Sequence, residues 1–265
     1  MGLSEEEWSE LLRRLGSEKK AEQRRAAEQA AAAARADDEA LERLRALLEP
    51  APSAATAAAP PCAPSSPPVT RHSSPVTSPW RLRWGAAFAL SLAGEVSPAA
   101  LPTLLEAFGK EDGDLRWSAA ELLKALARGS AAAVVADQLT ALASAGTPLQ
   151  RKMALYCLRD LEVRTPDGLG AVVRALGAAE SDVRLAALSA LPRLAVDRAA
   201  AATCIVLRVA DADAGVRRAA VAALGALGER SPAVLAALEQ CARSEDDSLR
   251  RAATRSLQML GSIES

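Results

Sequence analysis

The chain has a single histidine in 265 residues, and that scarcity removes whole classes of chemistry. A histidine-ligated metal centre, a Ser-His-Asp relay and a Cys-His pair each need imidazoles held in a fold. His72 instead stands beside Arg71 in a stretch of Pro, Ala, Ser and Thr. No glycine-rich phosphate loop is present. The four cysteines, at 62, 157, 204 and 241, show neither paired nor metal-type spacing. Three of them fall in expected helices, where free cysteine acts as a small hydrophobe, and a reducing compartment fits. Aromatic residues make up 3% of the chain although 50% of it is hydrophobic, so any core is built of Ala, Leu and Val. A net charge of −1 gives no global drive toward nucleic acid or an anionic membrane. No apolar run reaches the roughly eighteen residues a membrane span needs. The opening Met-Gly-Leu-Ser-Glu-Glu-Glu-Trp is acidic, unlike a signal peptide, and Glu6 stands where a myristoylation pattern wants Ser or Thr. These absences lead us to expect a soluble, non-enzymatic cytoplasmic or nuclear protein with no catalytic, cofactor or metal residues.

What the chain has is a repeat. Val216-Arg217-Arg218-Ala219-Ala220 with Leu224 and Leu227 recurs 33 residues earlier at Val183-Arg184 and 33 later at Leu249-Arg250. An aliphatic residue precedes the arginine, alanine follows three later, leucine seven later and usually another ten later, which is one face of an amphipathic helix. The frame also fits Arg83, Arg116 and Arg151, with a two-residue slip between the last two and Gln150 in place of the aliphatic residue. Between the arginines lies a second, shorter apolar-periodic segment, as in Pro232 to Glu239. Each unit therefore reads as a helical hairpin, and a tandem of hairpins with small residues on the packing face reads as an α-solenoid. Pro192, inside an expected helix, should kink it.

Ankyrin units share the period, but their Thr-Pro-Leu-His turn is missing, and tetratricopeptide units want tyrosines where this chain has only one. With Asp114, Asp182, Asp213 and Asp247 one to three residues before the aliphatic position, the Val-Arg-x-x-Ala-x-x-x-Leu second helix resembles the short HEAT repeat. The period is below the roughly 40 to 47 residues of most such repeats. The resemblance implies an all-α, right-handed α-solenoid of about seven HEAT-like hairpins and says little of function. It extends to the scaffolds of deoxyhypusine hydroxylase and the bilin lyases. The hydroxylase's di-iron chemistry needs His-Glu pairs that this sequence does not have.

At the N-terminal side, Ser4 before Glu5-Glu6-Glu7 is a helix start, and Arg24-Arg25-Ala26-Ala27 repeats the second-helix frame weakly. Residues 1–48 are therefore expected to hold a capping repeat and the first helix of repeat two. Residues 49–79 are expected to be a disordered Pro/Ala/Ser-rich insertion, and 80–265 contiguous repeats. Arg24 to Arg83 spans one period plus about the length of that tract. The alternative is an independent N-terminal hairpin on a linker. Within the tract, Ser66, Ser74 and Ser78 each precede proline and are candidate phosphosites; an inert spacer is the other reading.

Two surfaces carry chemistry. Arg83, Arg116, Arg151, Arg184, Arg217 and Arg250 form a column that, in a stack, reaches turn carbonyls or aspartates of adjoining units; the competing reading is a phosphate-binding or acidic-peptide stripe. Positions one, five and eight after each arginine should form the outer stripe of the second helices. Trp84, Phe88, Trp117, Lys124, Lys152, Tyr156 and Arg159 then make an aromatic patch with a basic rim, suited to a helical or acidic peptide segment of a protein partner. Packing of those rings against first helices or the preceding cap is the alternative. A nucleic-acid role for Arg217, Arg218, Arg243, Arg250, Arg251 and Arg255 is the runner-up for function, opposed by the interspersed Glu239, Glu245, Asp246 and Asp247.

Overall fold

A computed structural model describes residues 3–49 and 79–261, so the expected disorder over 50–78 and the three serines there fall outside the described residues, while Pro79, expected to end the tract, opens a helix. Among the described residues there are fourteen α-helices and no strand. Packing divides the chain into two compact units, Met1–Leu104 and Leu105–Ser265.

In the first unit, α1 (Glu5–Leu15) starts with a capping box in which Ser4 and Glu7 satisfy each other's amides. It packs on α2 (Lys20–Ala36), whose buried face is Ala26, Ala27, Ala30, Ala31 and Ala34. α3 (Asp38–Ala46) and α4 (Pro79–Ala93) pack on each other and both pack on α2, so the chain on either side of the tract closes one body. Polar ties fix α4 there: Gln23 donates to the carbonyls of Leu15 at 2.7 Å and Arg81 at 3.3 Å, Arg35 donates to Leu92 at 3.0 Å, and Arg45 pairs with Glu95 at 2.8 Å. Gly85 lets α4 ride against the end of α1, where a Cβ would lie 2.6 Å from the Leu15 carbonyl oxygen.

After a 3-10 turn at Pro98–Ala100, α5 (Leu101–Ala107) leads into α6 (Gly113–Leu126). The hairpins of the second unit follow: α7 (Ala132–Ala145) with α8 (Pro148–Asp160), α9 (Pro166–Ala175) with α10 (Ser181–Leu194), α11 (Arg198–Val206) with α12 (Ala214–Leu227), and α13 (Pro232–Ala242) with α14 (Asp247–Gly261). Second helices stack on second helices, α6 on α8, then α10, α12 and α14, while α7 meets α9 and α11 meets α13. The alanines three after each column arginine, at 119, 154, 187, 220 and 253, are all buried, as are Leu123, Leu158, Leu191 and Leu224. Each such leucine contributes roughly 1.5 to 3 kcal/mol, and the alanines let helix axes approach toward about 8 Å.

The irregularities have local causes. Gln150 departs from the aliphatic pattern because it closes a capping box with Thr147 at the start of α8. In α14 the Ser256 hydroxyl, buried, donates to the Val221 carbonyl at 3.0 Å and fills the space left by Gly225 on α12. Pro192 stands in the last turn of α10, which runs on to Leu194 as one helix.

Candidate partner-binding face

The arginine column faces inward along the chain more than outward. Arg116, Arg184, Arg217 and Arg250 each donate through Nη1 to the carbonyl six residues back, on Lys110, Ala178, Asp211 and Ser244, at 2.5, 2.8, 2.9 and 3.1 Å. Those carbonyls close the first helix of the same hairpin, where the helical ladder has run out of amides. Arg151 reaches eight back, to Ala143 at 3.2 Å, so the two-residue slip in the repeat falls in the turn between α7 and α8. The column also reaches an adjoining unit. Arg184 pairs with Asp211 at 2.8 Å, and Arg151 lies 3.6 Å from Glu180. Arg83 sits half-buried at the equivalent place on α4.

Asp211 was not legible as part of this system. Its side chain is 5% exposed and takes hydrogen bonds from Arg184 and from the Asp213 amide. Burial pushes its carboxyl up, but the guanidinium and the amide outweigh burial and hold it below the usual aspartate value. It stands six before Arg217, where Ser244 stands before Arg250, and both accept the amide two residues on. Among the hairpins of this unit whose column arginine reaches six back, Asp211 alone brings a negative charge to that place, Lys110 being cationic. Of the four turn aspartates of the sequence pattern, Asp213 accepts from a first-turn amide of α12, whereas Asp112 and Asp246 do so for α6 and α14, Asp182 pairs with Lys152 and Asp247 with Arg250.

The aromatic residues split. Trp84 is only 5% exposed, stacked between Trp80 and Phe88 along successive turns of α4 with centroids 6.3 and 6.2 Å apart. Its expected place on an outer stripe is therefore corrected: a helix packed by α1, α2 and α3 has little open surface left for a ring one turn from its start. Phe88 is half-buried in the same stack.

Trp117, at the same offset on α6, is 49% exposed. Its ring stacks on Tyr156 of α8 with centroids 6.1 Å apart and planes 17° from parallel, and the Arg159 guanidinium lies 5.1 Å from the Tyr156 centroid. Arg159 is held by Asp160 at 2.8 Å and reaches Ser189 on α10 at 3.3 Å. Three successive second helices thus contribute to one run of side chains, from indole to phenol to guanidinium to hydroxyl.

The expected basic rim is more neutral than its sequence suggests. Lys124 bonds Glu121 at 2.6 Å and Asp160 at 3.4 Å, and the Glu121 hydrogen bond holds its ammonium above the ordinary value against partial burial. Lys152 is paired with Asp182 at 2.8 Å, which leaves Arg159 as the cation set on the rings. Beneath them Cys157 is buried and its thiol is pushed up to about 12 by desolvation, so it stays protonated at neutral pH. Among the described residues no group of three His, Cys, Asp or Glu is placed to hold a metal ion, and no helix is long and apolar enough to cross a membrane.

Comparison with known proteins agrees with this geometry. The family described as HEAT repeats matches residues 182–258. No curated protein matches the chain. Among solved structures, Escherichia coli YibA is 14% identical with a TM-score of 0.51, over 98% of this chain and 93% of that one. A designed armadillo repeat protein in complex with the peptide (KR)4 is 15% identical with a TM-score of 0.48, over 95% and 98% of the two chains. Human deoxyhypusine hydroxylase is 16% identical with a TM-score of 0.41, over 97% and 96%. At these identities the likeness is one of fold alone. The match over residues 182–258, together with the recurring hairpins and the arginine column that closes them, shows HEAT-like repeats in that part of the chain.

Proposed function

We propose that the protein is a non-enzymatic scaffold that binds a peptide segment of another protein on the second-helix face of α6, α8 and α10. One observation carries the reading: Trp117 is half exposed, yet held flat against Tyr156 and, through Arg159, tied to the next helix. A large ring fixed at a surface has already lost most of its freedom before any partner arrives, and such pre-ordered aromatics dominate binding energetics, with truncation costing about 2 kcal/mol or more. The paired lysines around it exclude water without adding unpaired charge to be desolvated. That the fold is a repeat solenoid, and that a similar fold is seen holding a peptide, supports the class of partner and leaves its identity to experiment.

A photo-crosslinking amino acid placed at Ser189, on this face, and at Val134, exposed on the first-helix layer, tests the assignment in cells. The reading expects a discrete adduct from position 189 that disappears when Trp117→Ala is added, and none from 134. Equal adducts from both layers, or an adduct at 189 indifferent to Trp117→Ala, would sink it.

A further inference from the structure

The net charge of −1 hides a separation of charge between layers. In the Leu105–Ser265 unit the second helices α6, α8, α10, α12 and α14 hold twelve Lys or Arg and five Asp or Glu, a balance of +7. The first helices α7, α9, α11 and α13 hold two basic and three acidic residues. The mixing of acids and arginines seen along the sequence is thus undone by folding: Glu239 stays on α13 with Arg243, and Asp246 and Asp247 are occupied at the start of α14.

Toward one end of the layer, α12 and α14 hold five of the twelve basic residues and one of the five acids. Arg251 and Arg255, one turn apart on α14, are exposed and make no ion pair or side-chain hydrogen bond among the described residues. They stand at the offsets that α6 and α8 fill with Trp117 and Tyr156, and Arg218 is their exposed counterpart on α12, with only the electrostatic pull of the capping Asp246 on it. On α6, α8 and α10 the acids near the rings are paired, Glu121 with Lys124, Asp160 with Arg159 and Asp182 with Lys152.

We infer that an acidic peptide lies across the second-helix layer, its apolar end on Trp117 and Tyr156 and its carboxylates on Arg218, Arg251 and Arg255; this rests on the aromatic site proposed above. Charge complementarity selects the occupant. Stacked helix axes about 9 to 10 Å apart put α14 roughly 30 Å from α8, and at about 3.3 Å per residue an extended chain covers that in about nine residues. The recognised segment is therefore an apolar or aromatic anchor followed about nine residues later by a run of Asp or Glu. A nucleic-acid backbone fits less well, because its uniform, dense negative charge would also pass over Glu121, Asp160 and Asp182.

The test uses the full chain and a fluorescein-labelled peptide of about twelve residues, Glu/Ser-rich with a tryptophan at one end, followed by anisotropy at about 50 mM salt. Binding should weaken by about tenfold or more in Arg251→Glu/Arg255→Glu and fall as salt is raised, with the variant's melting unchanged. The milder Arg251→Gln/Arg255→Gln pair should give a smaller loss and guards against misfolding of the reversed pair. No binding, equal binding of a Lys-for-Glu peptide, tighter binding of duplex DNA, or indifference to both arginine pairs would overturn the inference. Trp117→Ala in the same assay separates the two proposals. Loss with Trp117→Ala alone keeps the aromatic site and removes the acidic path; loss with the arginine pair alone keeps the acidic path and removes the aromatic anchor.

Discussion

Arg184 and Arg217 occupy one position in successive hairpins, yet their loss should not cost the same. Each satisfies two turn carbonyls, at about 0.5 to 1.5 kcal/mol per bond, but Arg184 also neutralises the buried Asp211. Arg217→Ala should cost about 1 to 2 kcal/mol in urea unfolding, and Arg184→Ala about 1 to 2 more, since it leaves the Asp211 carboxylate with only the Asp213 amide and Arg208, 4.0 Å away. The second deficit depends on pH. Asp211 is held below its unfolded value near 3.9, so it adds stability above that value and loses it as pH falls through the lower, folded one. The gap between wild type and Arg184→Ala should narrow on acidification below about pH 4; a gap constant with pH would show that Asp211 is not the cause. At this scale the sequence was legible in its periods and illegible in its coverings. Trp84 and Trp117 share an offset, and only the elements around them decide that one is 5% and the other 49% exposed.

Two left-handed residues that follow helices in this chain make opposite predictions. α12 stops at Gly228 with φ of 74°, a left-handed conformation that glycine adopts without a steric cost. Past α8 the same region is occupied by Glu162, φ 49°, where the Val163 amide reaches back to the Leu158 carbonyl at 3.0 Å. Gly228→Ala should therefore destabilise by about 1 kcal/mol, and Glu162→Gly should be neutral or stabilise by up to about 1. Differential scanning calorimetry of the pair checks the signs; a loss at Glu162→Gly would mean that its side chain matters more than its backbone. Gly225→Ala is a sterner case, because the added Cβ would sit 2.7 Å from the Ser256 hydroxyl and 2.8 Å from its Cβ, and about 1 to 3 kcal/mol should be lost. Helix existence was readable from the 33-residue frame. The slip was readable too, but not its place between α7 and α8, which only the eight-residue reach of Arg151 reveals.

Across the molecule, the unit Met1–Leu104 closes on itself from helices that lie on both sides of the Pro/Ala/Ser tract. Replacing residues 50–78 with a flexible Gly/Ser linker should leave helical circular dichroism and melting nearly unchanged, because α3, α4 and α2 keep their contacts. A broad or lowered transition would show that the tract supports the unit. The layered charge was not legible in a total of −1, since which helix faces which way is a property of the stack. Trp84 is core and Trp117 is surface, and parallel thermal melts of Trp84→Ala and Trp117→Ala, each with the position-189 crosslink assay, measure that difference. Trp84→Ala should lose about 3 to 5 kcal/mol as a buried ring, whereas Trp117→Ala should melt like the wild type and lose the adduct. A Trp117→Ala protein as unstable as Trp84→Ala, or one that keeps its adduct, would contradict the assignment of this face to a partner.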